Sequence, residues 1–148
     1  MSSPVDPRFA CELGRSLRDE IGARSLYRRL AAAARDEELA RLLAAFAEQG
    51  PAIEDSLRRV AHGLAVRARE WSPSRWVSAR VLGLAARAGI RDPGLRLGVE
   101  SEEALARRYA GFADWLARTG REHEARICGE LSGAKSRRAR ALRAWVPR

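Results

Sequence analysis

Two glutamates on apolar helix faces, each followed by a tyrosine seven residues later, are the residues of this chain best placed for chemistry. Glu20 precedes Tyr27, and Glu102 precedes Tyr109 with the same spacing. Seven residues of α-helix turn through about 700°, so each tyrosine lies two turns along on nearly the same face as its glutamate. A carboxylate in a core-facing stripe needs a partner, because an unpaired buried charge is very costly. The spacing therefore predicts a polar site inside a helical core.

The segments that carry these two pairs repeat one another, and so do the segments that follow them. The first and third predicted helices have inward stripes with identical steps: Leu13, Leu17, Glu20, Arg24 and Tyr27 in one, and Leu95, Val99, Glu102, Ala106 and Tyr109 in the other. The second and fourth also share their steps: Leu42, Phe46, Gln49, Ile53, Leu57 and Val60, and Ile127, Leu131, Ala134, Arg138, Leu142 and Trp145. Two matched pairs in the same order favour a duplicated helical hairpin.

Four long helices are predicted to position these stripes. They run from near Asp6 to about Ala34, from Asp36 towards Arg69, from roughly Leu95 to Arg118, and from Arg121 to Trp145. Gly50-Pro51 is expected to kink or break the second helix, because proline removes a hydrogen bond and clashes with the preceding turn. Residues 1–6 form a short tail, and residues 67–94 form a crossover with a short helix ending near residue 88. Two hairpins joined by that crossover make a single-domain, all-α, antiparallel four-helix bundle over residues 1–148, with the second and third helices parallel.

This arrangement resembles the ferritin-like di-iron carboxylate superfamily, which includes ferritins and rubrerythrins. The resemblance covers roughly residues 9–145 and is strongest where Glu20-Ile-Gly-Ala-Arg-Ser-Leu-Tyr27 is followed by Asp36-Glu-Glu-Leu-Ala-Arg-Leu-Leu43. In that family the first and third helices each supply a glutamate, and the second and fourth each supply Glu-x-x-His. The resemblance therefore implies metal ligands at Glu20 and Glu102 of a ferritin-like bundle.

The other four ligand positions of the family are changed in this chain. Gly50 and Ile53 stand where the second helix should supply Glu and His, and Lys135 and Arg138 stand at the equivalent positions of the fourth. The two cations would repel a metal ion. We therefore expect a degenerate member of the superfamily, with a vestigial site, no metal, no cofactor and no redox catalysis.

The two cations suggest what replaces the metal. Arg138 has the planar fork that bridges carboxylates, and Lys135 lies one helical turn before it. Two carboxylates and two cations could balance in the core without any ion. In the alternative interpretation, the glutamates lie at the edge of the stripe and Lys135 extends to solvent. We favour the buried charge cluster.

Basic residues are concentrated in two zones of a chain whose net charge is +9. Residues 58–91 hold eight arginines against one acid, and residues 135–148 hold six basic residues and no acid. Such zones favour an anionic partner such as nucleic acid. The candidate contacts are Arg58, Arg59, Arg67, Arg69, Arg75, Arg80, Arg137, Arg140 and Arg143. Trp71 and Trp76, which lie in the first zone, could stack single-stranded bases, although tryptophans at helix ends more often cover an apolar core.

Residue types and spacing argue against several other kinds of site. His62 and His123 are predicted at the surface, because the carboxylates on either side of His123 point about 100° away from it and cannot converge on one ion. Cys11 and Cys128 match no metal spacing and suit a reducing cytoplasm. No apolar run approaches the ~18 residues of a membrane span, and the N-terminus lacks the pattern of a secretory signal.

The expected function is that of a cytoplasmic, non-catalytic binding or interaction protein. Its partner would be an unidentified protein, an anionic polymer or a second copy of the chain. One alternative is weak nucleic-acid or other polyanion binding through the two arginine-rich zones. Another is a ferritin-like metalloprotein with an altered metal site around Glu20 and Glu102.

Overall fold

Four helices make up the part of the chain that the computed structural model describes, which is residues 5–67 and 91–147. They are α1 (Pro7–Ala33), α2 (Glu37–Gly63), α3 (Arg91–Arg118) and α4 (Glu122–Arg143). These ranges contain no strand, so the all-α prediction is confirmed for them. The short helix predicted in the crossover lies outside the described residues. Within the described ranges, no helix combines the length and the apolar content needed to cross a membrane.

Aspartates begin the first two helices, as predicted. The Asp6 carboxylate accepts a hydrogen bond from the backbone N–H of Arg8 at 2.8 Å, and Pro7 occupies the first turn, where a missing N–H leaves no bond unmade. The Asp36 carboxylate accepts from the N–H groups of Glu38 and Leu39. Each side chain satisfies donors that have no partner within the helix.

The second helix is shorter than predicted, because it ends at Gly63 and not near residue 69. Ala65 adopts a positive φ of 53°, and the Val66 N–H returns to the Ala61 carbonyl at 2.9 Å. This backbone reversal is a common helix ending that usually has glycine at the left-handed position. An alanine there gives little sequence signal, so the prediction was wrong by about six residues.

The bounds of the later helices also differ from the prediction. α3 begins at Arg91, four residues before the predicted start, and runs through Pro93 and Gly94. Proline is tolerated in a first turn because its missing N–H would have no partner there. α4 ends at Arg143, two residues early. The turn between α3 and α4 is formed by Gly120, whose φ of 76° favours glycine.

The predicted kink or break at Gly50-Pro51 is not a break, because α2 continues through Pro51 from Glu37 to Gly63. Ala47 and Gly50 before the proline, and Ile53 after it, are buried. Burial of both flanking turns favours the helix on each side. Tertiary packing of this kind supplies most of the stability of a helix in a protein and here outweighs the local penalty of about 3 kcal/mol.

The order of the helices follows from contacts between them. α1 and α4 each pack against both α2 and α3. Tyr27, near the end of α1, contacts Glu102 in the first half of α3, so these two helices run antiparallel. Arg138, late in α4, contacts Phe46 in the first half of α2, so these two are antiparallel as well. Only three residues join α1 to α2, and the two helices pack against each other, so they form an antiparallel hairpin. α2 and α3 therefore run parallel, as predicted for two hairpins joined by a crossover.

The interior consists of two apolar clusters on either side of a layer of buried charges. One cluster includes Phe9, Leu13, Leu17, Leu57, Val60, Leu105, Phe112, Leu116, Cys128 and Leu131. The other includes Ala23, Leu39, Leu43, Phe46, Ala47, Leu95, Val99 and Leu142. The layer between them contains the residues that the repeats singled out.

Candidate functional site: a buried layer of four charges

Three helices bring two carboxylates and two cations together at the centre of the bundle. α1 carries Glu20, α3 carries Glu102, and α4 carries Lys135 and Arg138. Glu102 and Lys135 are both 0% exposed, Glu20 is 2% exposed and Arg138 is 6% exposed. The formal charges of these four side chains add to zero, which is what a buried group of charges requires.

Lys135 bridges the two carboxylates. Its Nζ donates a hydrogen bond to Glu20 Oε2 at 2.7 Å and lies 3.2 Å from Glu102 Oε2. The ammonium therefore stands between the two acids. The interpretation in which Lys135 extends to solvent is wrong, because the side chain is fully buried, and the interpretation as a buried charge cluster agrees with these contacts.

Each tyrosine of the repeated pairs binds the glutamate of the other repeat. Tyr27 Oη donates to Glu102 Oε1 at 2.5 Å, and Tyr109 Oη donates to Glu20 Oε1 at 2.6 Å. This exchange follows from the antiparallel contact of α1 with α3, which places the end of one repeat beside the start of the other. Burial raises the pKa of both tyrosines strongly, and the adjacent carboxylates raise it further. Both phenols therefore remain protonated donors.

Arg138 links the layer to α2. Its Nη1 lies 3.7 Å from Glu102 Oε1, while Nη2 donates to Gln49 Oε1 at 2.8 Å and to the Phe46 carbonyl at 3.3 Å. The guanidinium carbon is 4.7 Å from the centre of the Phe46 ring, a distance at which a cation is attracted to the face of an aromatic ring. Arg138 thus holds α2 and α4 together through polar and aromatic contacts at once.

The two carboxylates differ in their hydrogen bonding. Both oxygens of Glu20 accept hydrogen bonds, from Tyr109 and from Lys135. Burial raises the pKa of Glu20, and its contacts with Lys135 and Tyr109 counteract part of that rise. Glu102 Oε2 is buried and accepts no hydrogen bond, although the Lys135 ammonium lies near it. Glu102 is therefore held mainly by ion pairing and by Tyr27.

The second helix contributes no ionised group to the layer. Ile53 packs in the apolar cluster that contains Leu13 and Leu17. Gly50 leaves room for a side chain from α1, since a Cβ added there would lie 2.8 Å from Arg24 Cδ. Of the eight predicted residues, the structure brings six into one polar network, namely Glu20, Tyr27, Glu102, Tyr109, Lys135 and Arg138. The other two, Gly50 and Ile53, supply space and apolar packing.

Arg24, which is partly exposed, pairs with a buried carboxylate that was not predicted from the sequence. Its Nη1 lies 3.3 Å from Glu54 Oε1, and Glu54 is only 4% exposed. The signal was present in the spacing, because Glu54 follows the inward residues Ala47 and Gly50 by seven and four positions and therefore lies on the same helical face. This pair joins α1 to α2 beside the charged layer.

The residues present do not fit the two-metal centre that the family resemblance implied. Among the described residues, no group of three or more His, Cys, Asp or Glu side chains lies close enough together to hold a metal ion. The two carboxylates at the centre already bind the ammonium of Lys135, and the guanidinium of Arg138 lies 3.7 Å from Glu102 Oε1. A metal at this position would have to displace a buried cation.

The described candidate arginines for polyanion binding lie towards opposite ends of the bundle. Those of the first zone, Arg58, Arg59 and Arg67, lie at or just beyond the end of α2, and those of the second, Arg137, Arg140 and Arg143, lie along the last half of α4. Since α2 and α4 are antiparallel, these groups are separated along the bundle. Some of them are already paired, because Arg58 contacts Asp55 at 3.2 Å and Arg143 contacts Glu103. Arg69, Arg75, Arg80, Trp71 and Trp76 lie outside the described residues.

The histidines, the cysteines and Trp115 lie outside the charged layer. His62 and His123 are exposed, as predicted. Cys128 is buried in the first apolar cluster, and burial raises its pKa to about 12, so its thiol is inert. Cys11 is exposed. Trp115 stacks on a neighbouring phenylalanine ring at 4.7 Å, in agreement with a packing role.

Comparisons of the chain with protein-family models, with curated proteins and with solved structures found no match. The function is therefore inferred from the residues and their contacts.

Proposed function

We propose that this chain is a metal-free, ferritin-like bundle that acts by binding a partner and not by redox chemistry. The observation that carries the proposal is the position of the Lys135 ammonium, 2.7 Å from Glu20 and 3.2 Å from Glu102. In the ferritin-like family the carboxylates of the corresponding helices bind metal. Here a side chain of the protein itself supplies the positive charge.

Electrostatics favour this arrangement over a metal. The four charges of the layer are balanced, so a divalent ion would add two uncompensated positive charges to a buried site beside Arg138. If the ion displaced Lys135, the ammonium would lose both carboxylates and remain buried, which is strongly unfavourable. The two tyrosines are held as neutral hydrogen-bond donors, and both glutamates are in contact with the Lys135 ammonium. The layer is suited to holding helices together.

Metal titration of the purified protein tests this proposal. We expect protein from iron-supplemented cells to contain well under one metal per chain, and titration with Mn(II), Zn(II) or anaerobic Fe(II) to release no heat of specific binding. The matched variant is Lys135→Ala, which leaves both carboxylates and removes the ammonium. Metal binding by the variant and not by the wild type would support substitution of a metal by lysine. About two metals per wild-type chain, the complement of the family, would contradict the proposal.

A second candidate function, polyanion binding, is favoured by one feature of α4. Arg137 and Arg140 are exposed, lie three residues apart on the outward face, and form no ion pair within the described part of the chain. Replacing both with glutamine should weaken heparin or DNA binding and reduce the slope of log affinity against log salt by about 2, since each phosphate contact contributes about 0.9. The control is the double replacement Arg28→Gln and Arg29→Gln on α1, which changes the charge equally outside the two zones. Equal effects of the two double variants would rule out a specific surface on α4.

A further inference from the structure

We infer that the buried charged layer selects which helical hairpins pair, so that the first hairpin (α1 and α2) closes on the second (α3 and α4) and not on a like hairpin of a second copy. The layer lies at the level where the two hairpins meet. Glu20 and Tyr27 come from the first hairpin, and Glu102, Tyr109, Lys135 and Arg138 come from the second.

Most polar contacts of the layer cross from one hairpin to the other. Tyr27 reaches Glu102, Tyr109 reaches Glu20, and Lys135 reaches Glu20. Arg138 donates to the amide oxygen of Gln49 and to a carbonyl of the first hairpin. Lys135 and Arg138 also pair with Glu102 inside the second hairpin. The layer is therefore an interface between the two halves of the chain.

Apolar packing alone would distinguish the two hairpins poorly. Their inward stripes share the same steps, so two copies of the first hairpin present a surface much like that of one first and one second hairpin. Even the tyrosine contacts would be kept in a pair of first hairpins. Tyr27 of each copy would meet Glu20 of the other, as Tyr27 meets Glu102 here.

Charge removes this ambiguity. At the layer, the first hairpin brings one carboxylate, Glu20, and therefore one negative charge. The second brings Glu102, Lys135 and Arg138, and therefore one net positive charge. An unlike pair is neutral, whereas two first hairpins would bury two uncompensated negative charges and two second hairpins would bury two positive ones. Buried unpaired charge is strongly unfavourable, so the layer rejects both like pairings.

The same reasoning separates selection of the pairing from stability. Replacing a complete buried ion cluster with well-packed apolar residues is often neutral or stabilising, because the ions no longer have to be removed from water. If the layer serves mainly to select the pairing, a protein with an apolar layer should keep its helices but allow like hairpins to pair.

A cysteine at residue 23 reports the pairing in the full-length chain. Ala23 lies one turn after Asp19, which contacts Arg108 of α3, and one turn before Tyr27, which contacts Glu102 of α3. Ala23 therefore faces α3 in the native bundle. In a pair of first hairpins, where residue 20 of each copy meets residue 27 of the other, the two copies of residue 23 would lie close together. Ala23→Cys would then form a disulfide between copies in a glutathione redox buffer.

The experiment compares two proteins that carry Ala23→Cys with Cys11→Ser and Cys128→Ala. One keeps the charged layer, and the other also carries Glu20→Leu, Glu102→Leu, Lys135→Met and Arg138→Leu. After refolding, we expect little disulfide-linked dimer with the charged layer and a several-fold increase with the apolar layer, both proteins being helical by circular dichroism. A reporter at the exposed Arg28, placed as Arg28→Cys in both backgrounds, measures random encounters and should form dimers equally.

Two results would overturn the inference. Equal dimer yields from the charged and apolar layers would show that the charges do not select the pairing. Loss of helical signal in the apolar variant would show that the hairpins cannot fold without the charges, which contradicts a layer that acts by choosing between pairings.

Discussion

Replacing Lys135 with methionine removes the ammonium from between Glu20 and Glu102 while retaining most of the side-chain volume. The layer then holds two carboxylates and one guanidinium, a net charge of minus one in a site where both acids are at most 2% exposed. The folded protein can restore neutrality by taking up one proton. Burial already raises the pKa of Glu20 in the wild type, and loss of Lys135 removes the main effect that opposes this rise.

The cost of that proton sets the size of the effect. The ordinary pKa of a glutamate is about 4.3, which is about 2.7 units below pH 7. At ~1.36 kcal/mol per unit, keeping one glutamate protonated at pH 7 costs ~3.7 kcal/mol. This value falls in the range of about 3–5 kcal/mol that is typical when one partner of a buried ion pair is removed. For a domain of this size, it corresponds to a fall of roughly 7–15 °C in Tm.

The destabilisation should depend on pH in a definite direction. In the variant, one carboxylate has a folded-state pKa raised above its unfolded value. The contribution of this carboxylate to the free energy of unfolding is therefore complete below the unfolded pKa and is lost as pH rises towards the folded pKa. Relative to wild type, the variant should lose about 1 kcal/mol at pH 5 and ~3.7 kcal/mol at pH 7. Urea unfolding followed by circular dichroism at both pH values measures the difference.

The control is Arg137→Met, which removes a cation from the exposed face of the same helix and should change the free energy of unfolding by no more than about 0.5 kcal/mol. A Lys135→Met protein that loses less than about 1 kcal/mol at pH 7 would refute the reasoning. So would an equal loss at the two pH values, because a proton would then play no part in the compensation.

Four further substitutions test other parts of the bundle. Arg138→Ala should lower the free energy of unfolding by about 3 kcal/mol at pH 7, and a change in Tm within about 2 °C would show that its buried contacts contribute little. Gly50→Ala should destabilise, because the new Cβ would lie 2.8 Å from Arg24, whereas Gly111→Ala, with nothing within 4 Å of the added carbon, should stabilise by about 0.5–1 kcal/mol in the same thermal melts. Ala65→Gly should stabilise by about 1 kcal/mol, since φ is 53° there, and unchanged urea midpoints would contradict that.

Much of the fold could be predicted from local sequence. Asp6 and Asp36 were predicted as helix starts, and their carboxylates accept hydrogen bonds from the backbone just ahead of them. The steps of the repeated stripes identified most of the buried positions, since residues three and four apart share one face of a helix, although Gln49 of the second stripe is exposed. Local rules left a break at Pro51 open, which the structure does not show, and missed the end of α2 near Ala65. Burial on both sides keeps α2 helical through the proline, and an alanine adopts the backbone conformation that usually signals glycine.

The sequence by itself also determined the composition of the central layer. The stripes favoured burial of Glu20 and Glu102, and Lys135 and Arg138 were the cations at the matching level of the fourth helix, whereas the alternative with exposed glutamates was excluded only by the structure. That buried carboxylates require compensating charge is a matter of solvation and needs no coordinates.

Only the tertiary structure decided how these residues meet. The antiparallel contact of α1 with α3 pairs each tyrosine with the glutamate of the other repeat, and the register of α4 places Lys135 between both acids. The same packing brings Arg24 over Gly50 to the buried Glu54. Periodicity specifies the face of a helix on which a side chain lies. The distance to a side chain on another helix depends on the order, direction and axial offset of the helices, which are set when the whole core packs.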